Sequence, residues 1–178
     1  MKESKNSRRI IILILIVLLF SISRYINVYL NGTVASDSVK DVTLYYEELY
    51  GEGTVTVYGP LELDGILYYA VETGEIQQIA EFQRLKNGRL EEQGASMGSD
   101  EVCYIKYKSS KNGNCLLIAS FDNISKIVFD YSGKNITYEI KDASPGLYMY
   151  ETISVNQNYE YIAYDKEGNV IEDYGVIW

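Results

Sequence analysis

Three features predict a mainly β protein behind an N-terminal transmembrane or signal helix. Residues 10–20 are an unbroken apolar run. Short runs rich in Val, Ile, Thr and Tyr recur from residue 54 onward. Turn dipeptides separate these runs at short intervals. The expected order is an apolar helix, a short polar helix, then antiparallel hairpins forming a meander and a sandwich-like sheet pair.

The apolar segment comes first. Lys2, Lys5, Arg8 and Arg9 precede it, Arg24 follows it, and Glu3 is the only acid among residues 1–24. Ile10 to Ser23 as a helix spans about 21 Å, short of a hydrocarbon core of roughly 30 Å. Arg9 and Arg24 can snorkel, and Tyr25 and Tyr29 can continue the helix into the interface. An uncleaved anchor is preferred to a cleaved signal peptide, whose small residues would be Ser21 and Ser23 or Thr33 and Ala35. In either case the basic flank stays in the cytoplasm and the rest of the chain lies outside it. The expected localisation is the cell membrane, single-pass, with the N-terminus cytoplasmic; cleavage would make the protein secreted. The expected membrane contact is residues 10–23.

The division expected is an anchor or signal segment at 1–30, a linker and short helix at 31–53, and a β domain at 54–178. Asn31 to Ser38 is small and polar and reads as the linker. Ser38 is positioned to cap a helix carrying Val39, Val42, Tyr46 and Leu49, ended by Gly51-Glu52-Gly53. A strand is the rival reading for 43–46. Leu90 to Asp100 is the stretch weakest in regular structure. It reads as a loop or as the joint between subdomains 54–97 and 101–178.

Asp64-Gly65, Asn87-Gly88, Asn112-Gly113, Ser132-Gly133 and Glu167-Gly168 mark the turns. A two-residue turn at Ser132-Gly133 sets Tyr131 against Lys134, Phe129 against Ile136 and Ile127 against Tyr138. Asp130 then meets Asn135 and Val128 meets Thr137, so the apolar residues share one face, as a half-buried hairpin requires. A second hairpin is expected from 159–165 to 169–171, with its register open.

The order of features resembles that of small, uncharacterised exported or membrane-anchored β-rich proteins of low-GC Gram-positive bacteria. The closest phrases are NISKIVFDYSGKNITYEI, GLYMYE and YEYIAYDKEGNVIE, about 50 residues at the C-terminal end. The resemblance implies an exported β domain and supplies no site residues.

Composition restricts the chemistry. The chain has no histidine, which excludes Ser-His-Asp and Cys-His catalysis and HExxH metal sites. Residues 25–178 hold 11 bases and 24 acids, a net charge of −13, so a nucleic-acid partner is not expected. No Walker motif, dinucleotide fingerprint or zinc spacing is present, and neither a cofactor nor a metal is expected. Cys103 and Cys115 are a disulfide candidate outside the cytoplasm, with two buried thiols as the alternative.

Tyrosine accounts for 18 of the 178 residues. Tyr148 and Tyr150 share a strand face, as do Tyr159 and Tyr161. These four are candidate binding residues for a protein partner or a neutral glycan. The alternative is that their rings cover a thin β core. The function expected is a non-catalytic binding module. The rival is a carboxylate-dependent hydrolase acting on glycans through acids such as Glu91, Glu92, Asp100 and Glu101.

Overall fold

A computed structural model describes residues 14–19, 22, 33–74, 76–97, 101–131, 133–152 and 160–174, the side chains of 131, 173 and 174 excepted. The expected apolar helix, the turn residue Ser132, Asp100 and Tyr159 fall outside these residues, apart from positions 14–19 and 22 of the helix. Those positions are helical and exposed. Among the described residues no helix is long and apolar enough to cross a membrane.

The protein is mainly antiparallel β. The first sheet is a meander of β1 (Thr56–Leu63), β2 (Ile66–Glu72), β3 (Gln77–Arg84) and β4 (Leu90–Met97), in that order. The second places β6 (Gly113–Ser120) between β5 (Val102–Ser109) and β9 (Gly146–Glu151). The third runs β8 (Lys134–Glu139), β7 (Lys126–Tyr131), β10 (Glu160–Tyr164), β11 (Val170–Tyr174). The helix α1 (Val39–Tyr50) lies immediately before the first strand.

Packing arranges these elements in layers. Val42 and Tyr46 of α1 bury against Val57, Leu67, Tyr69 and Phe82 on one face of the first sheet. Tyr68, Ala70 and Ile79 on its other face meet Cys115, Leu117 and Ala119 of β6. Leu116 and Ile118, the alternate residues of β6, face Ile127, Phe129 and Tyr161 of the third sheet. Strand alternation therefore gives β6 two buried faces, and its run from Cys115 to Ser120 is buried throughout.

Local chemistry sets the ends and turns. The Ser38 hydroxyl accepts the Asp41 amide at 3.1 Å, as a helix N-cap does. Leu49, expected on the buried helical face, is 60% exposed. Asp64 and Gly65 both have positive φ, 49° and 84°, and connect β1 to β2 with Leu63 opposite Ile66. That is the geometry of a two-residue hairpin turn. In β1 the register shifts between Tyr58 and Leu61. Gly59 sits at this bulge with φ 131°, and a Cβ there would lie 3.0 Å from the Tyr68 carbonyl oxygen, so the positive φ and the close approach together favour glycine.

The β7–β8 register is the one expected: Tyr131 faces Lys134, Phe129 faces Ile136 and Ile127 faces Tyr138. The last hairpin forms as well, with Tyr164 opposite Val170 and a shift at Ala163. One expectation is corrected. Leu90 to Met97 is a strand, because its polar side chains lie on a sheet edge while its backbone completes the ladder with β3. Within the expected linker, Thr33 and Val34 are buried while Ala35 and Ser38 are exposed. Val34 is buried and exchanges two backbone hydrogen bonds with Leu90, at 2.9 and 3.0 Å.

Leu117 and Ile118 point to opposite sides of β6. Leu117→Ala and Ile118→Ala are each expected to lose ~2–5 kcal/mol of stability in urea unfolding. A loss below 1 kcal/mol for either, on the order of an exposed-site change, would mean that its side of the second sheet is not a packed core.

Candidate functional site

Of the candidate tyrosines, Tyr161 is buried and Tyr148 and Tyr150 are half-buried. Tyr148 and Tyr150 stand opposite Ile118 and Leu116 on the β6–β9 ladder, so their rings turn toward the core between the second and third sheets. The Tyr148 hydroxyl donates to the Ser144 carbonyl and the Tyr150 hydroxyl to the Glu139 carbonyl, each at 2.7 Å. Burial pushes the Tyr150 phenol up to about 12. Tyr161 is 2% exposed, and its hydroxyl lies 3.0 Å from Glu172 Oε1 and 3.3 Å from the Val102 carbonyl. Tyr148 and Tyr150 are thus half-buried against the core between the second and third sheets and Tyr161 is buried, with oxygen acceptors near each hydroxyl. Tyr159 lies outside the described residues.

Cys103 and Cys115 are not bridged. The β5–β6 ladder sets Cys103 opposite Ala119 and Cys115 opposite Tyr107. The offset of four positions amounts to ~13 Å along a strand, beyond the reach of a disulfide. The connection that decides this is Ser110-Lys111-Asn112, with Ser109 facing Gly113. Cys103 Sγ donates to the Gln77 carbonyl at 3.2 Å. Burial, then the charges of Asp64 and Glu151, push the Cys115 thiol up. A protonated thiol is a poor nucleophile. Cys115 and Tyr150 do line one cavity of about 310 Å³, together with Lys111, Asn112, Met149 and Glu151.

The acids have structural partners. Asp64 accepts the Ser110 amide and hydroxyl, each at 2.8 Å, and the Tyr107 hydroxyl at 3.2 Å. The Ser110 bonds hold its carboxyl below the usual range and tie the β1–β2 turn to the β5–β6 loop. Asp165 accepts the amide and side-chain amide of Asn169, at 2.7 and 2.8 Å, closing the last hairpin. Glu91 is exposed. Glu92 turns inward, and its two oxygens accept from Tyr46 at 2.6 Å and Tyr45 at 3.0 Å. Among the described residues no cluster of acids and cysteines is arranged to hold a metal ion.

The surface feature with mixed chemistry lies beside this Glu92 cluster. Asp41, Leu44, Tyr45 and Glu48 recur at i, i+3, i+4 and i+7, and so share one side of α1. They face Thr33, Val34 and Ala35 across a cleft of about 190 Å³, with Arg89 completing the lining. The rim is charged in both signs, and Leu44 and Tyr45 supply apolar surface. Tyr45 is fixed edge-on to Tyr46, with ring centroids 5.2 Å apart. The sequence shows the Tyr45-Tyr46 and Glu47-Glu48 pairs and the helical spacing. It does not show Arg89 or the chain at 33–35 as the opposite wall.

Burial first, and then the Glu92 charge, push the Tyr45 phenol from 10.0 to about 12. The folded state favours the neutral phenol. Its contribution to stability is intact below pH 10 and is lost as pH rises through about 12. Ring NMR of Tyr45 is expected to titrate near pH 12, and Glu92→Gln to lower that midpoint while burial keeps it above 10. An unchanged midpoint would exclude Glu92 as a cause. Alkylation in denaturant without reductant is expected to modify both cysteines, whereas a disulfide would leave both unmodified. No family model, curated protein or solved structure matches the chain.

Proposed function

We propose that the protein is a membrane-tethered, extracytoplasmic β domain that acts by binding a protein partner or a neutral glycan, and that the cleft beside α1 is its binding surface. The observation that carries the tether is the exposed apolar helix. Ile14 to Leu19 are 52–64% exposed. A run of six large aliphatic side chains left in water is unfavourable by ~25 cal/mol for each Å², and a bilayer relieves that cost. The basic residues on the N-terminal side support a cytoplasmic N-terminus. The second and third sheets, which share one core, support a sandwich-like pair behind the meander.

Two observations support binding over turnover. Glu92, a carboxylate in the stretch richest in acids, is engaged by two phenols, and the Cys115 thiol is held protonated. The cleft, by contrast, offers exposed Leu44 and Glu48 on a rigid helix. Its mixed charge suits a partner with polar groups of both signs, or uncharged hydroxyls that bond to carboxylates and a guanidinium. A polyanion does not suit a domain of this acidity.

Full-length protein is expected to remain in the membrane fraction after alkaline extraction, with the β domain open to protease from the outer side. Crosslinking from its own membranes is expected to capture one specific partner. Leu44→Asp and Glu48→Lys are expected to reduce that capture ~10-fold or more, the scale of an interface hot spot, with unchanged thermal unfolding. Release by alkali would remove the tether. Undiminished capture by both variants would remove the cleft as the binding surface.

A further inference from the structure

The cleft beside α1 is mixed in sign, but its charges are not equally available. Arg89 donates from Nε to the Thr33 hydroxyl and from Nη2 to the Thr33 carbonyl, both at 2.6 Å. Its guanidinium is thereby held to the wall formed by Thr33, Val34 and Ala35. The carboxylates stand on the α1 side. Asp41 accepts the Ser36 hydroxyl at Oδ2, at 2.5 Å. Glu48 is exposed, and among the described residues no hydrogen bond or ion pair holds its carboxylate. Tyr45 lies between the two acids. Their spacing of i, i+4 and i+7 puts one carboxylate-bearing residue roughly 5 Å along the helix axis on either side of the ring. The ring is half-buried and set edge-on to Tyr46 and Phe82, with centroids 5.2 and 6.1 Å away. Its hydroxyl donates to Glu92 at 3.0 Å. A phenol that donates to a carboxylate gains electron density in its ring, which deepens the attraction of the ring face for a cation.

We infer that the cleft, taken as the binding surface proposed above, receives a cationic side chain of a protein partner, an arginine or a lysine, seated on the Tyr45 ring between Asp41 and Glu48. Charge complementarity carries the assignment. A guanidinium or ammonium meets a carboxylate on each side, an aromatic ring below, and Leu44 beside its aliphatic stem. Arg89 repels a cation from the far wall and so confines it to the α1 side. Residues 25–178 carry a net charge of −13, and the field of such a domain draws cations toward its clefts. At about 190 Å³ the cleft is smaller than the ~300–1,000 Å³ of pockets that enclose a whole ligand. It has the size to take one side chain of a larger partner.

Ring NMR of Tyr45 in the full chain in detergent tests this with four probes. They are Nα-acetyl-arginine methylamide, its lysine analogue, its glutamate analogue and N-acetylglucosamine. At least one cationic probe is expected to shift the Tyr45 signals saturably, and less so at high salt. The glutamate probe is expected to leave them in place. Glu48→Gln is expected to weaken the cationic probe on the order of 5-fold, the scale of an exposed ion pair. Glu52→Gln removes the same charge from beyond the end of α1 and is expected to change nothing. The inference is overturned if neither cationic probe shifts Tyr45, or if Glu48→Gln has no more effect than Glu52→Gln. A shift with N-acetylglucosamine alone would overturn the cation and keep the cleft as a binding surface. Failure of the cleft itself is read separately, by undiminished capture of the partner with Leu44→Asp.

Discussion

The second sheet is covered on both faces of its central strand, and the rest of the molecule is arranged around that fact. Its middle strand, β6, sends Cys115, Leu117 and Ala119 to the first sheet and Leu116 and Ile118 to the third. A strand buried on both sides needs a cover on each, and a chain of this length has two other sheets to provide them. The central strands of the first sheet, β2 and β3, are buried on both faces in turn, since α1 and Val34 cover its far side. Each layer therefore buries its apolar face against the next.

Tyrosine is what makes so thin a stack work. Large rings fill the space between twisted sheets, and their hydroxyls reach the polar edge of each layer. Tyr150, Tyr148 and Tyr161 end on carbonyl or carboxylate oxygens, and Tyr69 ends on the Asp37 carbonyl. Leucine at these positions would fill the volume and leave those acceptors without a donor. These four tyrosines thus serve the geometry of the core.

The same economy shapes the candidate site. Tyr46 packs on Phe82 with its hydroxyl on Glu92, and Tyr45 shares that carboxylate while its ring lines the cleft. A surface built this way is rigid before any partner arrives, which lowers the entropic cost of binding. Asp64 plays a comparable role at the opposite kind of place. A turn residue of the first sheet, it holds the loop of the second, so hairpin tips are fixed by side chains where ladders end.

The sequence by itself determined what local rules control. The Ser38-capped helix, the Asp64-Gly65 turn and the full register of β7 with β8 follow from cap chemistry, positive-φ residues and two-residue alternation. Each of these acts within a dozen residues. Tertiary structure alone decided the rest. Return of β9 to β6 turned Tyr148 and Tyr150 inward, and a three-residue connection at 110–112 kept the two cysteines apart. Backbone pairing with β3 made a strand of the polar stretch 90–97. Arg89 became the partner of Thr33 across 56 positions of sequence. Pairing between distant segments depends on which faces remain uncovered after local structure has formed, and that is a property of the whole chain.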